Sequence, residues 1–159
     1  MSKVQLDKKI PDMEMHITGD KQVNLSDYLG KTLVIYFYPK ASTPGCTQEG
    51  QDFRDAADGF AKAATAILGA SRDGIKAQEN FKAKQSFPFD LLSDQQEELC
   101  CLFDVIKLKK LYGKEHLGIE RSTFLIDKDG ILRKEWRKVK VKGHVAEVLA
   151  AAEALNITS

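Results

Sequence analysis

The stretch Thr32-Leu33-Val34-Ile35-Tyr36-Phe37-Tyr38-Pro39-Lys40-Ala41-Ser42-Thr43-Pro44-Gly45-Cys46-Thr47-Gln48-Glu49 decides the fold of this chain. Its first seven residues are apolar, β-branched or aromatic, which is the pattern of a strand buried on both faces of a helix-covered sheet. A turn with proline and glycine follows, and a helix is predicted over about 44–64, because proline is favoured in the first turn of a helix. Cys46 is therefore expected where a buried strand gives way to a helix.

The segments outside this stretch alternate between strand and helix patterns. The Gly19-Asp20 pair predicts an N-terminal hairpin, and Lys128-Asp129-Gly130 predicts a second hairpin between strands over 122–127 and 131–137. Further strands are predicted over 65–71 and 89–92, and helices over about 75–85, 96–103 and 143–155. Asp73 is expected to cap the helix over 75–85. This order predicts an α/β fold with a mixed central sheet flanked by helices.

Size and composition indicate one ordinary globular domain, spanning residues 1–159. The chain is 43% hydrophobic and 30% charged, and its formal net charge of +1 gives no reason to expect a nucleic acid or a membrane surface as partner. The longest apolar run, Leu33 to Tyr38, is too short to span a bilayer. The first residues lack the apolar core of a secretory signal, so a cytoplasmic protein is expected.

The cysteines do not form the pattern of a secreted disulfide scaffold. There are three, Cys46, Cys100 and Cys101, and no Cys-x-x-Cys pair that would indicate a dithiol oxidoreductase. The three histidines are scattered, at no metal-ligand spacing from any cysteine. No metal, flavin or haem site is indicated, and no cofactor is expected.

The spacing Pro39-x-x-x-Thr43-x-x-Cys46 resembles the active-site signature of the peroxiredoxins. The flanking Tyr-Pro-Lys and Thr-Pro-Gly-Cys-Thr sequences most resemble the bacterioferritin-comigratory (PrxQ) branch of that family. The resemblance extends over nearly the whole chain and implies a thioredoxin-like fold with an N-terminal β-hairpin. Relatives of this kind are often monomeric, so a monomer is expected.

The resemblance implies a thiol peroxidase that reduces hydrogen peroxide and organic hydroperoxides. A thiolate attacks the O–O bond, becomes a sulfenic acid and is recycled by thioredoxin, glutaredoxin or glutathione. Two other functions use the same cysteine: a general disulfide reductase, which the missing Cys-x-x-Cys argues against, and a redox-sensing or chaperone-like protein.

The start of a helix is suited to hold a charged sulfur, because its first N–H groups are free and its dipole is positive there. A lowered thiol pKa alone raises the rate of attack on a peroxide only a few fold, since the nucleophilicity of a thiolate falls with its basicity. Orientation and electrostatic stabilisation must supply the rest. The resemblance assigns these tasks to the Thr43 hydroxyl, to Pro39 as a shield of the sulfur, and to the backbone N–H groups of Gly45 and Cys46.

Two charged residues complete the implied site. Arg121, at the start of a predicted strand, matches the active-site arginine of the family, and its charge favours both the thiolate and a developing oxyanion. Glu49 matches a position that orients an arginine, although a solvated helix-face charge is an equal interpretation. Taken singly, Thr43 could be a helix cap, Pro39 could end a strand, and Arg121 could be a surface charge.

The reduction of the sulfenic acid is not decided by the sequence. Many relatives carry a second cysteine five residues after the first, where this chain has Gln51, and others carry it in the stretch that aligns with residues 80–84, which has none. Cys100 is expected on the flank of an apolar helix face, with Cys101 pointing away from it. Three routes remain open: an external thiol, an internal disulfide with Cys100 or Cys101, and a disulfide between two chains.

Overall fold

The computed structural model describes residues 3–158 and consists of a mixed sheet with helices on both faces. The strands are β1 (Glu14–Ile17), β2 (Lys21–Asn24), β3 (Thr32–Phe37), β4 (Thr65–Ser71), β5 (Asp90–Ser93), β6 (Ile106–Leu111), β7 (Lys114–Ile119), β8 (Ser122–Ile126) and β9 (Leu132–Trp136). The helices are α1 (Pro44–Asp55), α2 (Ala57–Lys62), α3 (Ile75–Gln85), α4 (Glu98–Leu102) and α5 (His144–Thr158), and a 3₁₀ turn spans Leu25–Tyr28.

The central sheet has the strand order β2-β1-β5-β4-β3-β8-β9. Strand β3 pairs in parallel with β4 and antiparallel with β8, and β4 pairs in parallel with β5. At the edge, β1 and β2 form the predicted N-terminal hairpin, so the predicted α/β fold with a mixed central sheet is confirmed. No helix within residues 3–158 is long and apolar enough to cross a membrane.

All six residues of β3 are buried, as expected for a strand at the centre of a covered sheet. Because successive side chains of a strand point to opposite faces, β3 contributes to two separate cores. Leu33, Ile35 and Phe37 belong to one buried cluster, together with Cys100. Val34, Tyr36 and Tyr38 belong to the other, together with Cys46. The two buried cysteines therefore lie on opposite faces of the sheet.

Apart from small shifts at the ends of elements, three local features of the structure differ from what the sequence predicts. The helix predicted over 44–64 is divided at Ala56, whose backbone has φ −96° and ψ 2°, and no proline or glycine at that position indicates a break. The prediction that Asp73 caps α3 is wrong, because Gly74 is the N-cap and the Asp73 carboxylate binds Ser71 and Ala41 instead.

The third difference is an unpredicted hairpin formed by β6 and β7, separate from the central sheet. Its lysine-rich sequence is by itself typical of a solvated surface. Leu108 and Leu117 face each other across the hairpin and are 60% and 61% exposed. This weak apolar alternation and the Tyr112-Gly113 turn are the signals that a sequence-based prediction could have used.

Helix α1 packs very closely against the Phe87 side chain at Gly50. A Cβ atom at this position would lie 2.3 Å from the Phe87 ring, far inside van der Waals contact. Glycine is favoured here by the close approach and not by its backbone angles, because a larger residue would need the Phe87 ring or the helix to move.

Candidate active site

The sulfur of Cys46 lies at the first turn of α1, directly after the loop that leaves β3. Cys46 is 2% exposed and is the third residue of its helix, after Pro44 and Gly45. The first bond of the helix runs from the Thr47 N–H to the Thr43 carbonyl, so the amides of Gly45 and Cys46 precede the hydrogen-bonded ladder. Their N–H groups and the positive end of the helix dipole favour negative charge at this position.

Arg121 contacts the sulfur directly. Its Nη2 atom lies 3.4 Å from Cys46 Sγ, and its Nη1 atom donates to Glu49 Oε1 at 2.7 Å. The arginine stands between the end of β7 and the start of β8, which fixes its backbone beside the sheet. A Cβ atom on Gly45 would lie only 3.2 Å from Arg121 Nη2, so the glycine gives the guanidinium room to approach.

The Glu49–Arg121 pair places two opposite charges next to the sulfur and out of water. The Glu49 side chain is fully buried, and its Oε2 atom has no hydrogen-bond partner among residues 3–158. Burial raises the pKa of Glu49 to about 7, although the charge of Arg121 acts in the opposite direction. Burial also opposes the charge of Arg121, but Glu49 and Cys46 outweigh it and raise the pKa of Arg121, which stays charged.

The Thr43 hydroxyl is held by its own loop. Thr43 is the N-cap of α1 by position, yet its side chain makes no capping bond and donates from Oγ1 to the Lys40 carbonyl at 2.8 Å. Ser42, between them, has a left-handed backbone with φ 64°. Since the only hydroxyl proton of Thr43 is used, its oxygen lone pairs remain to accept a hydrogen bond. Pro39, half-buried, begins this loop.

Cys100 and Cys101 are both free and lie outside this group of residues. Cys100 is 0% exposed in the opposite core, and burial, together with the nearby Asp94 carboxylate, raises the pKa of its thiol. Cys101 is exposed on the other side of α4. A bond from Cys100 to Cys46 would need a change in this conformation, because the sheet separates the two sulfurs.

Sequence reasoning missed one contribution to the site. Asp73 accepts a hydrogen bond at 2.8 Å from the backbone N–H of Ala41, in the middle of the loop that carries Thr43. The two residues are 32 positions apart, and a hydrogen bond of this kind leaves no local pattern in the sequence. The Ser71-x-Asp73 sequence at the end of a predicted buried strand was the available signal.

The AhpC/TSA family model matches residues 6–135 of this chain. Peroxiredoxin Bcp of Bacillus subtilis (strain 168) is 54% identical over 153 residues, which cover 96% of this chain and 98% of that protein. Peroxiredoxin Bcp of Xanthomonas campestris is 54% identical over 143 residues, which cover 90% of this chain and 89% of its own length.

The solved structures that are similar to this chain include proteins of the same kind. A Xanthomonas campestris peroxiredoxin Q structure has a TM-score of 0.87 and 53% identity, and the match covers 91% of each chain. A Xylella fastidiosa PrxQ structure has a TM-score of 0.91 and 40% identity, over 97% of this chain and 98% of that one. With a family model matched over most of the chain, and relatives at 54% identity, this chain belongs to the AhpC/TSA family and to its Bcp/PrxQ peroxiredoxins, which are thiol peroxidases.

Proposed function

We propose that Cys46 is the thiol that this peroxiredoxin uses to reduce hydrogen peroxide and organic hydroperoxides. The observation that carries the proposal is the contact of 3.4 Å between the Arg121 guanidinium and a buried sulfur at a helix start. The sulfur lies against a cation and at the positive end of a helix dipole, and both favour a negative charge there. Relatives add support for organic substrates, because one solved structure of the Xanthomonas campestris bacterioferritin comigratory protein concerns its alkyl peroxide reduction activity.

The proposed reaction follows from the donors and acceptors around the sulfur. The Thr43 oxygen accepts the hydrogen bond of the peroxide O–H, since its own proton is donated to the Lys40 carbonyl. A lone pair of the Cys46 sulfur forms the S–O bond while the O–O bond breaks. The leaving oxygen departs with the electron pair as an alkoxide or hydroxide and is then protonated. Cysteine is oxidised to sulfenic acid and the peroxide is reduced to an alcohol or water.

Arg121 has the task of stabilising the charge that moves during this step. The negative charge begins on sulfur and ends on the leaving oxygen, and a guanidinium with several N–H donors can interact with both. Glu49 orients the guanidinium through the bond of 2.7 Å. Pro39 and the buried aromatic residues around the sulfur limit the access of water.

Comparison of Cys46→Ser with Cys101→Ser tests the assignment, because both changes remove one sulfur and only the first lies in the site. The wild type and Cys101→Ser are expected to consume hydrogen peroxide rapidly in stopped-flow mixing. Cys46→Ser is expected to consume it no faster than a solution without the enzyme. A Cys46→Ser variant with wild-type activity would contradict the assignment. Slow wild-type turnover, combined with capture of partner proteins, would favour a redox sensor.

We further propose that an external thiol reduces the sulfenic acid, supplied by thioredoxin, glutaredoxin or glutathione. The support is the placement of Cys46 and Cys100 on opposite faces of the sheet, with hydrogen-bonded polar side chains where relatives place a second cysteine. Gln51 donates to Gln85 at 2.9 Å, and Lys82 donates to Asp90 at 2.8 Å. Such a cycle works where thiols are kept reduced, so we also propose that the protein acts in the cytoplasm, as a monomer with a single domain.

Disulfide mapping after oxidation tests the external route. The protein is treated with one equivalent of hydrogen peroxide, and its cysteines are mapped by mass spectrometry with a reagent that traps sulfenic acid. We expect a Cys46 sulfenate and no bond from Cys46 to another cysteine of the chain. A bond from Cys46 to Cys100 or Cys101 would contradict the external route, and a covalent dimer on a non-reducing gel would indicate resolution between chains.

A further inference from the structure

A hydrogen-bond network joins the end of β4 to the loop between β3 and α1. The Asp73 carboxylate accepts through Oδ2 from the backbone N–H of Ala41 at 2.8 Å and from the Ser71 hydroxyl at 2.5 Å. The backbone of Asp73 is fixed in turn, because the Ser93 hydroxyl donates to its carbonyl at 2.7 Å. The carboxylate therefore holds the loop from a residue that is itself anchored to β4 and β5.

A second, fully buried part of the network reaches the beginning of the same loop. Gln78 donates through Nε2 to the Ser71 hydroxyl at 3.0 Å and to the Leu92 carbonyl at 2.8 Å. The Tyr38 hydroxyl donates to Gln78 Oε1 at 2.6 Å. Because Tyr38 directly precedes Pro39, the network holds the loop at its start through Tyr38 and at its middle through the N–H that Asp73 binds.

The peptide group between Lys40 and Ala41 connects this network to Thr43. Its N–H donates to Asp73 at 2.8 Å, and its carbonyl accepts from the Thr43 hydroxyl at 2.8 Å. The N–H and C=O of a trans peptide lie in one rigid plane and point in opposite directions. The carboxylate thus fixes the direction of the carbonyl, and the charge-assisted bond to the N–H also polarises the carbonyl as an acceptor.

We propose that Asp73 is a positioning residue for peroxide reduction, which acts on Thr43 through the Lys40–Ala41 peptide. When Asp73 holds this peptide, the Thr43 hydroxyl donates to the Lys40 carbonyl and keeps its lone pairs for the peroxide. The left-handed Ser42 lies between the held peptide and Thr43, so a peptide that turned would redirect the hydroxyl. This inference rests on the proposed peroxidase role of Cys46 and Thr43.

A double-mutant cycle separates this role from a general effect on the loop. Asp73→Asn keeps the shape of the side chain but replaces a charge-assisted hydrogen bond with a neutral one of about half the strength. We expect the rate constant of Cys46 oxidation by hydrogen peroxide to fall about tenfold in the wild-type background, which corresponds to the difference between a charge-assisted hydrogen bond and a neutral one. In a Thr43→Val background the same change is expected to have an effect of less than about twofold, because the hydroxyl that it orients is absent.

Asp12→Asn is the matched control. Asp12 also accepts from a backbone N–H and a hydroxyl, those of Ser26, at 3.0 and 2.9 Å. It lies near Leu33 and Ile126, at the end of β3 away from the active site, so peroxide reduction is expected to be unchanged. Alkylation of Cys46 by iodoacetamide is the second measurement, because it needs the thiolate but no acceptor for a peroxide. Asp73→Asn should leave the alkylation rate within about twofold of the wild type, whereas a displaced helix start would change both rates.

The outcomes distinguish this inference from the proposed function. A wild type that reduces no peroxide through Cys46 contradicts the proposed function itself. An active wild type with an equally active Asp73→Asn contradicts only the role of Asp73. Equal losses in the wild-type and Thr43→Val backgrounds, or parallel losses of peroxide reduction and alkylation, show a structural effect and overturn the proposal. If Asp73→Asn does not fold, Ser71→Ala takes its place in the same cycle, and loss of its effect in Thr43→Val is again the expected result.

Discussion

The two faces of the central sheet each bury a cysteine, and the two cysteines have opposite surroundings. Cys46 and Cys100 are 2% and 0% exposed, so burial does not distinguish them. Cys46 lies at a helix start with Arg121 at 3.4 Å. Cys100 is surrounded by apolar side chains and a carboxylate, and burial raises the pKa of its thiol. The comparison teaches that low exposure alone does not decide whether a sulfur can serve as a nucleophile, because a neighbouring cation can offset the effect of burial and a neighbouring carboxylate adds to it.

Removal of the cation should make the surroundings of Cys46 similar to those of Cys100. Arg121→Gln is expected to lower the rate constant for peroxide by about 100- to 1,000-fold, the usual loss when one stabilising donor is removed. It also leaves the buried Glu49 side chain without its cation, so we expect the carboxyl to be protonated and to cost about 1–3 kcal/mol of stability as an unsatisfied buried group. Stopped-flow kinetics and denaturant unfolding measure the two effects.

The double variant Arg121→Gln/Glu49→Gln serves as the control for stability. It removes both charges, so we expect the free energy of unfolding to recover while the peroxide rate stays low. Recovery of the rate together with stability would mean that Arg121 acts only through folding.

Thr43→Val sharpens the comparison by leaving the charges around Cys46 in place. The side chain keeps its shape but loses the oxygen that is proposed to accept the peroxide O–H. We expect a loss of about 100-fold in peroxide reduction, because the reacting atoms lose their alignment. Thr43→Ser should retain most of the activity, and iodoacetamide should alkylate Cys46 in Thr43→Val at nearly the wild-type rate. An equally large fall in alkylation would show that Thr43 acts on the thiolate instead.

Glu49→Gln tests the buried carboxylate on the Cys46 face. The guanidinium remains but its orientation is loosened, so the expected loss in peroxide rate is about tenfold. The pKa of Glu49 is raised to about 7, so the folded state binds a proton that the unfolded state has already released. Glu49 therefore contributes stability below about pH 4.5, and this contribution is lost as pH rises through about 7.

Unfolding by denaturant at several pH values measures this contribution. The stability of the wild type minus that of Glu49→Gln should fall between about pH 4.5 and pH 7. A flat difference across that range would mean that the carboxylate is charged throughout.

Changes at the cysteines of α4 should have the smallest effect. Cys100 lies across the sheet from Cys46 and Cys101 is exposed, so in Cys100→Ala and Cys101→Ser the rate of Cys46 oxidation should stay within about twofold of the wild type. Cys100→Ala is expected to cost about 1 kcal/mol of stability, because it leaves a small cavity. Turnover with thioredoxin is the sharper measurement, since a large loss in Cys101→Ser would give that thiol a role in recycling.

Local patterns in the sequence account for most of the fold. The apolar run before Pro39 predicts the central strand, and the predicted β4 and α3 have the bounds seen in the structure. The two turn signals at Gly19 and Gly130 correspond to real hairpins. These elements could be predicted because their hydrophobic periodicity and turn residues act within a few positions of one another.

The remaining features depend on contacts between distant residues. Asp73 is a residue type that often caps helices, but in the folded chain its carboxylate binds Ala41 and Ser71 instead. Ala41 is distant in the sequence, and only the fold brings it near Asp73. Cys100 was expected on the flank of a helix and is wholly buried, because β3 and its neighbours cover it. Arg121 was found through a family resemblance, since nothing local indicates that a residue 75 positions away contacts Cys46.

Two glycines of α1 restrict which side chains this site can tolerate. Gly45 faces the guanidinium, and Gly50 faces the Phe87 ring at a distance that admits no Cβ atom. A side chain at Gly50 would need the Phe87 ring or α1 to move, and a shift of α1 would carry the sulfur away from an arginine that is fixed to the sheet. A single methyl group one turn from the sulfur would thus lower activity without touching any reacting atom. The absence of a side chain at Gly45 and Gly50 is therefore part of what places Cys46 beside Arg121.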